Sequence, residues 1–398
     1  MATPLPHTHP NRGWLAVMAI AIGTFVMVTS EFLPIGLLGA MAKDLSVSTG
    51  HAGLMVTIPG MVAALAAPAL ILSVGRLDRR WLLLVLTGLI VLADLTVAFA
   101  TDLGTVLLGR VMLGLALGGF WAFSAAVGRR LVEADKGHRA VALILGGISV
   151  GTVAGVPLGT MVGEMAGWRE AFSAAAGLGV LVLLAQAVLL PKLRGEGSAS
   201  FADLLALLAL PAARTGYAAS ALIAAAHFAA YTYFEPLLAT AGWKGGASLT
   251  ALLAAYGIAG VLGTWAGERL ASTRLLPGFI AVALTVAGSI ALVGLGARHD
   301  WAVVLGMVSW GAAFGALPVC VQIWIHQAAP ERFESGSALM VTVFQLAVAA
   351  GALIGGQWVD HVGLGAAFAT GTVLALAAAL VLMAFALSRH RRPAMAAP

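Results

Sequence analysis

The chain has one cysteine, Cys320, in 398 residues. No internal disulfide can brace the fold, and no cysteine-based metal site can form. Cys320 lies in an apolar stretch and reads as a packing residue. Charged residues make up only 10% of the sequence, against about 25% in ordinary globular proteins. A water-soluble body of this length cannot clothe its surface with so few charges, so its outer solvent must be lipid. No nucleophile sits with a base, and no histidine or carboxylate group has metal-ligand spacing, which argues against an enzyme and against a bound metal or cofactor. A GxxxxGK[ST] phosphate loop is also missing, which excludes an ATP-driven pump. The loops are too short for the soluble output domain of a sensor. The formal charge of +5 and pI near 9.8 do not point to nucleic acid, because the basic residues are scattered through short loops.

Hydrophobic residues are abundant, at 61% with 49 glycines. They fall into twelve apolar stretches long enough to span a bilayer, at about 14–40, 51–74, 81–100, 105–128, 139–166, 170–190, 214–240, 247–268, 275–296, 301–326, 335–360 and 365–387. The first, from Trp14 to Ala42, exceeds the apolar core of a secretory leader and contains Glu31, so it reads as a span. The long connection is 191–213, within which Phe201–Leu210 is too short to cross and is expected along the interface. It divides the chain into a bundle at 1–190 and a second at 214–398, the latter ending in a short basic tail. If the amino terminus faces the cytoplasm, most of the 22 lysines and arginines lie on that side. Lys43, Arg110, Arg169, Lys244 and Arg298 are the exceptions. Both termini are therefore expected inside.

The two halves echo each other. Glu31-Phe-Leu-Pro34 is answered by Phe234-Glu235-Pro236, Gly75-Arg-Leu-Asp78-Arg79-Arg80 by Gly267-Glu268-Arg269, Gly151-x3-Gly155 by Gly351-x3-Gly355, and Trp168-Arg-Glu-Ala-Phe172 by Ala366-Ala-Phe368. A duplicated helix bundle commonly rocks about a site between its halves. The charged loop at 75–80 can hold neighbouring helix ends by charge-assisted bonds and so gate one side, or it can be a topology signal with solvated charges. Gly151, Gly155, Pro157 and Gly159 can pack a kinked helix at backbone distance, either as ordinary small-residue packing or as a leak-sealing seam. Span eleven, through Gly351, Gly355 and Gly356, is the expected partner of such a seam.

The loop at 75–80 resembles a divergent signature loop of the major facilitator superfamily. Gly109-Arg110-Val-Met-Leu-Gly114-Leu-Ala-Leu-Gly118-Gly119-Phe-Trp121 is similar to that superfamily's fourth-helix motif. Gly151-Thr-Val-Ala-Gly155-Val-Pro157-Leu-Gly159 resembles the glycine-proline motif of its proton antiporters, with Val156 intervening before the proline. With Gly167-Trp168-Arg169, these words look most like the drug:proton antiporter-1 branch, and within it the bacterial purine ribonucleoside and sugar efflux permeases. The resemblance implies an all-α membrane protein of twelve transmembrane helices in two pseudo-symmetric six-helix bundles. It also implies a bacterial inner-membrane location and spans one and four lining a central cavity.

Charges inside spans cost about 2.5–3.5 kcal/mol each, so each needs a reason. By helical rise, Glu31 lies roughly 25 Å along span one from Trp14, and Arg110 roughly 10 Å below the outer surface. Their depths match, giving either a static ion pair or a proton carrier tuned by a cation. Asp94 in span three is a second acid, either coupling or making a packing hydrogen bond. Glu235 is a third, serving the proton, the substrate or the outer vestibule. His227, Tyr231, Tyr233 and Gln345, with Trp310 and the inner-half aromatics Phe120, Trp121 and Phe123, suit a base stacked beside a polar sugar. The expected function is proton-driven efflux of a small solute, purine nucleosides first, then sugars or drugs, with uncoupled facilitation or import left open. The expected partners are lipid, protons and the solute, with no nucleic acid, no cofactor and a monomeric working unit.

Overall fold

The computed structural model describes residues 10–75, 77–194, 206–243 and 247–391. Among them the chain is helical, without a strand. The first half comprises α1 (Pro10–Asp44), the short α2 (Thr49–Ala52), α3 (Leu54–Ser73), α4 (Arg79–Ala98), α5 (Leu103–Arg130), α6 (Gly137–Val150), α7 (Val156–Ala166) and α8 (Trp168–Leu189). The second comprises α9 (Pro211–Tyr231), α10 (Phe234–Thr240), α11 (Ala247–Gly296), α12 (Asp300–Ala328), α13 (Phe333–His361) and α14 (Leu364–Arg391). Ten helices among the described residues are long and apolar enough to cross a membrane. One of these, α11, is kinked by non-helical backbone at Arg274 into two span-length pieces. The α9–α10 pair adds a further buried passage, so the whole is consistent with twelve.

Two local expectations change. Gly267-Glu268-Arg269 and the residues up to 273 are helical rather than a loop, with the Arg269 guanidinium 3.6 Å from the Trp265 ring centre. The glycine-proline segment does not pair with span eleven. Residues Gly151–Gly155 form a π-helical turn packed against α1, where Cβ atoms at Gly151 and Gly155 would meet Val28 and Thr29. Across the bundle, a Cβ on Gly257 of α11 would lie 2.7 Å from Val153 Cα. Gly351 and Gly355 instead press on the Ala225 and Ala229 carbonyls of α9. Apolar repeats alone cannot say which of several small-residue faces meets which.

Apolar side chains gather in two main cores, one among α1, α3, α4, α5, α6 and α8, the other built on α9–α14 and reaching Ile35, Val56 and Val156 of the first half. A smaller core at one end joins Leu33–Ala42 to Tyr233 and Ala367. That end is tied by the Gly167-Trp168-Arg169 element. Gly167 takes φ +119°, open to glycine but strained for other residues. Trp168 Nε1 and Arg169 then donate to Asp44 at 3.2 and 2.6 Å, and Arg169 also reaches the Ala100 carbonyl at 2.8 Å. Asp102 caps α5 through Thr105, which holds its carboxyl below the usual carboxylate range. At the opposite end, Asp78 caps α4 through Arg80 N–H and also accepts from Leu193 N–H, both at 2.9 Å, while Arg80 donates to the Ala187 carbonyl at 2.6 Å. The start of the linker is thereby stitched to the α3–α4 turn. Residues 201–205 of its expected interfacial segment lie outside the described residues; 206–209 are helical.

The backbones of α11 and α12 touch at Gly263, Gly311 and Gly315, where any Cβ would strike a facing main chain. Gly315→Val should therefore lower stability by about 1–3 kcal/mol through overpacking. Gly288→Val, with nothing within 4 Å of its Cβ, should leave it unchanged. Thermal unfolding of the two variants in detergent checks this; equal midpoints would refute the close helix approach.

Candidate functional site

The site begins with two prolines. Pro34 lies inside α1 and Pro59 inside α3. Each lacks an N–H, so the carbonyl four residues earlier loses its helical donor. Those carbonyls belong to Ser30 and Met55. Arg110 of α5 takes both: its NH1 donates to Ser30 O and its Nε to Met55 O, each at 2.7 Å, while NH2 donates to Glu31 O at 2.6 Å. The guanidinium is almost wholly buried, and its rigid fork suits three fixed acceptors. Glycine brings α5 close enough for this: Cβ atoms at Gly114 and Gly118 would lie 2.8 Å from the Pro59 and Ala63 carbonyls of α3.

Because Arg110 is spent on carbonyls, the Glu31 side chain is free to turn elsewhere. Its Oε1 accepts from Gln345 Nε2 of α13 at 3.2 Å, a buried bond between the two halves. Asp94 of α4 is buried too, accepting from Ser30 Oγ at 2.6 Å. Its other oxygen, Oδ1, has no hydrogen-bond partner among the described residues. Both carboxyl groups feel the Arg110 charge. The four residues Glu31, Asp94, Arg110 and Gln345 thus form one sealed polar cluster, joined by a side chain and two carbonyls that the sequence reading had not singled out.

Beside it lies an aromatic cluster. His227 of α9 stacks on Phe314 with 3.7 Å between ring centres and on Tyr231 with 4.6 Å, and meets Trp310 edge-on at 5.3 Å. Tyr256 of α11 closes the group, 4.8 Å from Tyr231. His227 Nδ1 and Trp310 Nε1 are buried without hydrogen-bond partners among the described residues. The clusters share a border, since Phe32, next to Glu31, stacks on Phe228, next to His227, at 5.6 Å. Phe228 in turn meets Phe344, the neighbour of Gln345.

The other candidates lie elsewhere. Phe120 and Phe123 are packed in the first-half core with Trp121 against it, and Phe123 sits 4.7 Å beneath the Arg79 guanidinium. Gly75 turns with φ +20°, and Arg79 donates to its carbonyl at 3.1 Å. Glu235 and Tyr233 stand at the Asp44 end. Glu235 accepts from Gly39 N–H of α1 at 2.7 Å, and Tyr233 OH donates to the Ala352 carbonyl at 2.7 Å. A neighbouring contact was not read from sequence. Asp360 of α13 accepts from Ser48 Oγ at 2.6 Å and from Gly50 N–H at 2.8 Å, with His51 Nδ1 at 3.2 Å. Two carboxylates of the second half therefore clasp backbone N–H groups of the first at one end. No sequence signal marks Asp360, which sits at a span end. The proline offsets at Ser30 and Met55, by contrast, could have been counted.

If Arg110 serves two proline-orphaned carbonyls, Arg110→Ala should lose about 3–5 kcal/mol of stability, as a broken buried charged network does. Adding Pro34→Ala and Pro59→Ala, which restore the helical donors, should recover part of that loss. Melting curves for the variant set decide it; a strictly additive triple variant would rule the coupling out.

The family model described as Major Facilitator Superfamily matches residues 20–340. The purine ribonucleoside efflux pump NepI of Escherichia coli (strain K12) is 35% identical over 384 residues, covering 94% of each chain. Its namesake in Shigella flexneri matches equally. Among solved structures, the fold is similar to a bacterial homolog of the human lysosomal transporter Spinster, in an inward-facing and unoccupied conformation. That match has a TM-score of 0.72 at 15% identity, over 95% of this chain and 96% of that one. It is also similar to the human organic anion transporter MFSD10, with a TM-score of 0.68 at 16% identity over 94% and 100%.

Proposed function

We propose that this chain, which belongs to the major facilitator superfamily, is a proton-coupled efflux antiporter of a small polar or amphipathic solute, purine nucleosides foremost, working by alternating access. It is a multi-pass membrane transporter and not an enzyme. The observation that carries the coupled reading is the Glu31–Gln345 bond, a buried acid held between the two halves. Glu31, Asp94 and Arg110 offer two negative charges and one positive in a sealed site. An uncompensated buried charge is costly, so one acid holds a proton while the cluster is closed and releases it when the halves part. The proton gradient is then the energy source, with no cofactor.

The nucleoside reading rests on two supports. Relatives covering 94% of the chain at 35% identity carry the name purine ribonucleoside efflux pump. The aromatic cluster around His227 is stacked on itself in this structure and holds two buried polar atoms without partners among the described residues, so a base would take the place of one of its rings when the site opens. His227, Tyr231 and Trp310 are the residues assigned to the base, and Gln345 stands beside them. Sugars or drugs are the alternative cargo. Val156, set between Gly155 and Pro157, keeps an uncoupled facilitator as the competing mode.

In the bacterial inner membrane with both termini cytoplasmic, the Asp360 and Glu235 clasps close the outer side. They would break when the halves, taken as 1–190 and 214–398, rock as two bodies. The turn at Gly75, Asp78, Arg79 and Arg80 then belongs to the inner gate, and the unit acts as a monomer.

Glu31→Gln in proteoliposomes should abolish efflux driven by a pH gradient while solute exchange without a gradient persists. Gradient-driven efflux at the wild-type level would remove Glu31 from the coupling. In a detergent thermal-shift screen, inosine should stabilise the protein more than sugars or antibiotics. His227→Ala should weaken inosine by about 1–3 kcal/mol, the usual worth of a base stacked on an aromatic wall. Unaltered affinity would take His227 out of the site.

A further inference from the structure

Away from both clusters, α1, α6 and α8 leave an apolar groove of about 800 Å³ on the flank of the first half. One wall runs from Trp14 to Phe25 on α1, the other from Arg139 to Val150 on α6, and Leu178 of α8 closes the side. Each wall spans twelve residues, eleven steps or roughly 16 Å at the helical rise. That is close to the depth of one leaflet, half of a hydrocarbon core about 30 Å thick. Its floor is tight: a Cβ at Gly147 would strike the Ala21 carbonyl. Its lips are exposed apolar side chains, among them Met18, Leu143 and Leu178.

The groove is polar at one end only. Arg139 is the single ionisable residue lining it, and it stands at the same end as Trp14. Arg139 is exposed and forms no ion pair among the described residues. Neighbouring cations are already engaged. Arg12 donates to the Val188 carbonyl at 3.0 Å, Arg130 to the Arg194 carbonyl at 2.9 Å, and Lys136 pairs with Glu133 at 2.7 Å. A leaflet-deep apolar channel, capped by an indole and a free guanidinium, has the chemistry of a phospholipid anchored by its phosphate. We propose that this groove holds one acyl chain of an anionic phospholipid, with the headgroup phosphate on Arg139 beside Trp14. The inference rests on membrane residence and is independent of the cargo and of proton coupling.

Gly146 makes the test clean, because it lines the groove and a Cβ there meets nothing within 4 Å. A leucine at 146 fills the channel without disturbing the helix contacts beneath. Native mass spectrometry of protein taken from nanodiscs of mixed phosphatidylglycerol and phosphatidylcholine should find one phosphatidylglycerol retained preferentially. Arg139→Gln should reduce that preference about fivefold, the effect of one surface cation on an anionic lipid. Gly146→Leu should lose the retained lipid whatever its headgroup, with an unchanged melting temperature when lipid-free. Glycerol phosphate, which has no chains, should give no stabilisation. Equal retention of the two lipids by the wild type, full retention by Gly146→Leu, or stabilisation by glycerol phosphate alone would overturn the proposal.

Discussion

The structure turns on one guanidinium filling gaps that two prolines open. Pro34 and Pro59 sit inside α1 and α3, and each leaves a carbonyl without its helical donor where no water can reach it. Arg110 supplies the missing donors to Ser30 and Met55. An arginine in the bilayer and two broken helical bonds would each be costly alone; placed together they cancel most of that cost. The close α5–α3 approach at Gly114 and Gly118 exists to make the reach possible. The arrangement also decides what the acids do. Arg110 gives its hydrogen bonds to main-chain oxygens, so neither Glu31 nor Asp94 is locked in a bidentate ion pair.

The closed end follows a different rule. There an apolar core joins Leu33–Ala42 to Tyr233 and Ala367, and around it carboxylates of the second half take backbone N–H groups of the first, Glu235 on Gly39 and Asp360 on Gly50, reinforced by Ser48. The polar bonds are few and local, whereas parting the halves at this end would also expose the small apolar core beside them. The cores themselves are built the other way. The glycine faces of α11 against α12, and of α13 against α9, bring main chain onto main chain over long stretches.

Composition, span lengths and the echo between halves were enough to read the helical membrane fold, because scarcity of charge and runs of apolar residues act over the whole chain. The shared depth of Glu31 and Arg110 was also readable, since helical rise converts residue number into height. Azimuth was not. Depth alone suggested a guanidinium paired with a carboxylate, whereas the bonds go to carbonyls. Asp94 in span three makes a hydrogen bond to Ser30 of α1, a partner its sequence position does not name. The glycine-proline segment met α1 and α11 rather than span eleven, because small-residue faces occur on many helices and carry no address. Tyr256 and Asp360 escaped notice because each is an ordinary residue in its own segment and gains meaning only from neighbours more than twenty residues away in sequence.

The partner chosen for Glu31 has its own consequence. A primary amide carries a donor and an acceptor on one plane, so Gln345 can offer its NH₂ to an ionised carboxylate or, after a half-turn, its oxygen to a carboxylic acid. A lysine or arginine in that place would accept only the ionised form. On the proposed proton-coupled cycle, a neutral amide holds the carboxyl group in either protonation state, so the contact between the halves would outlast loading of the acid.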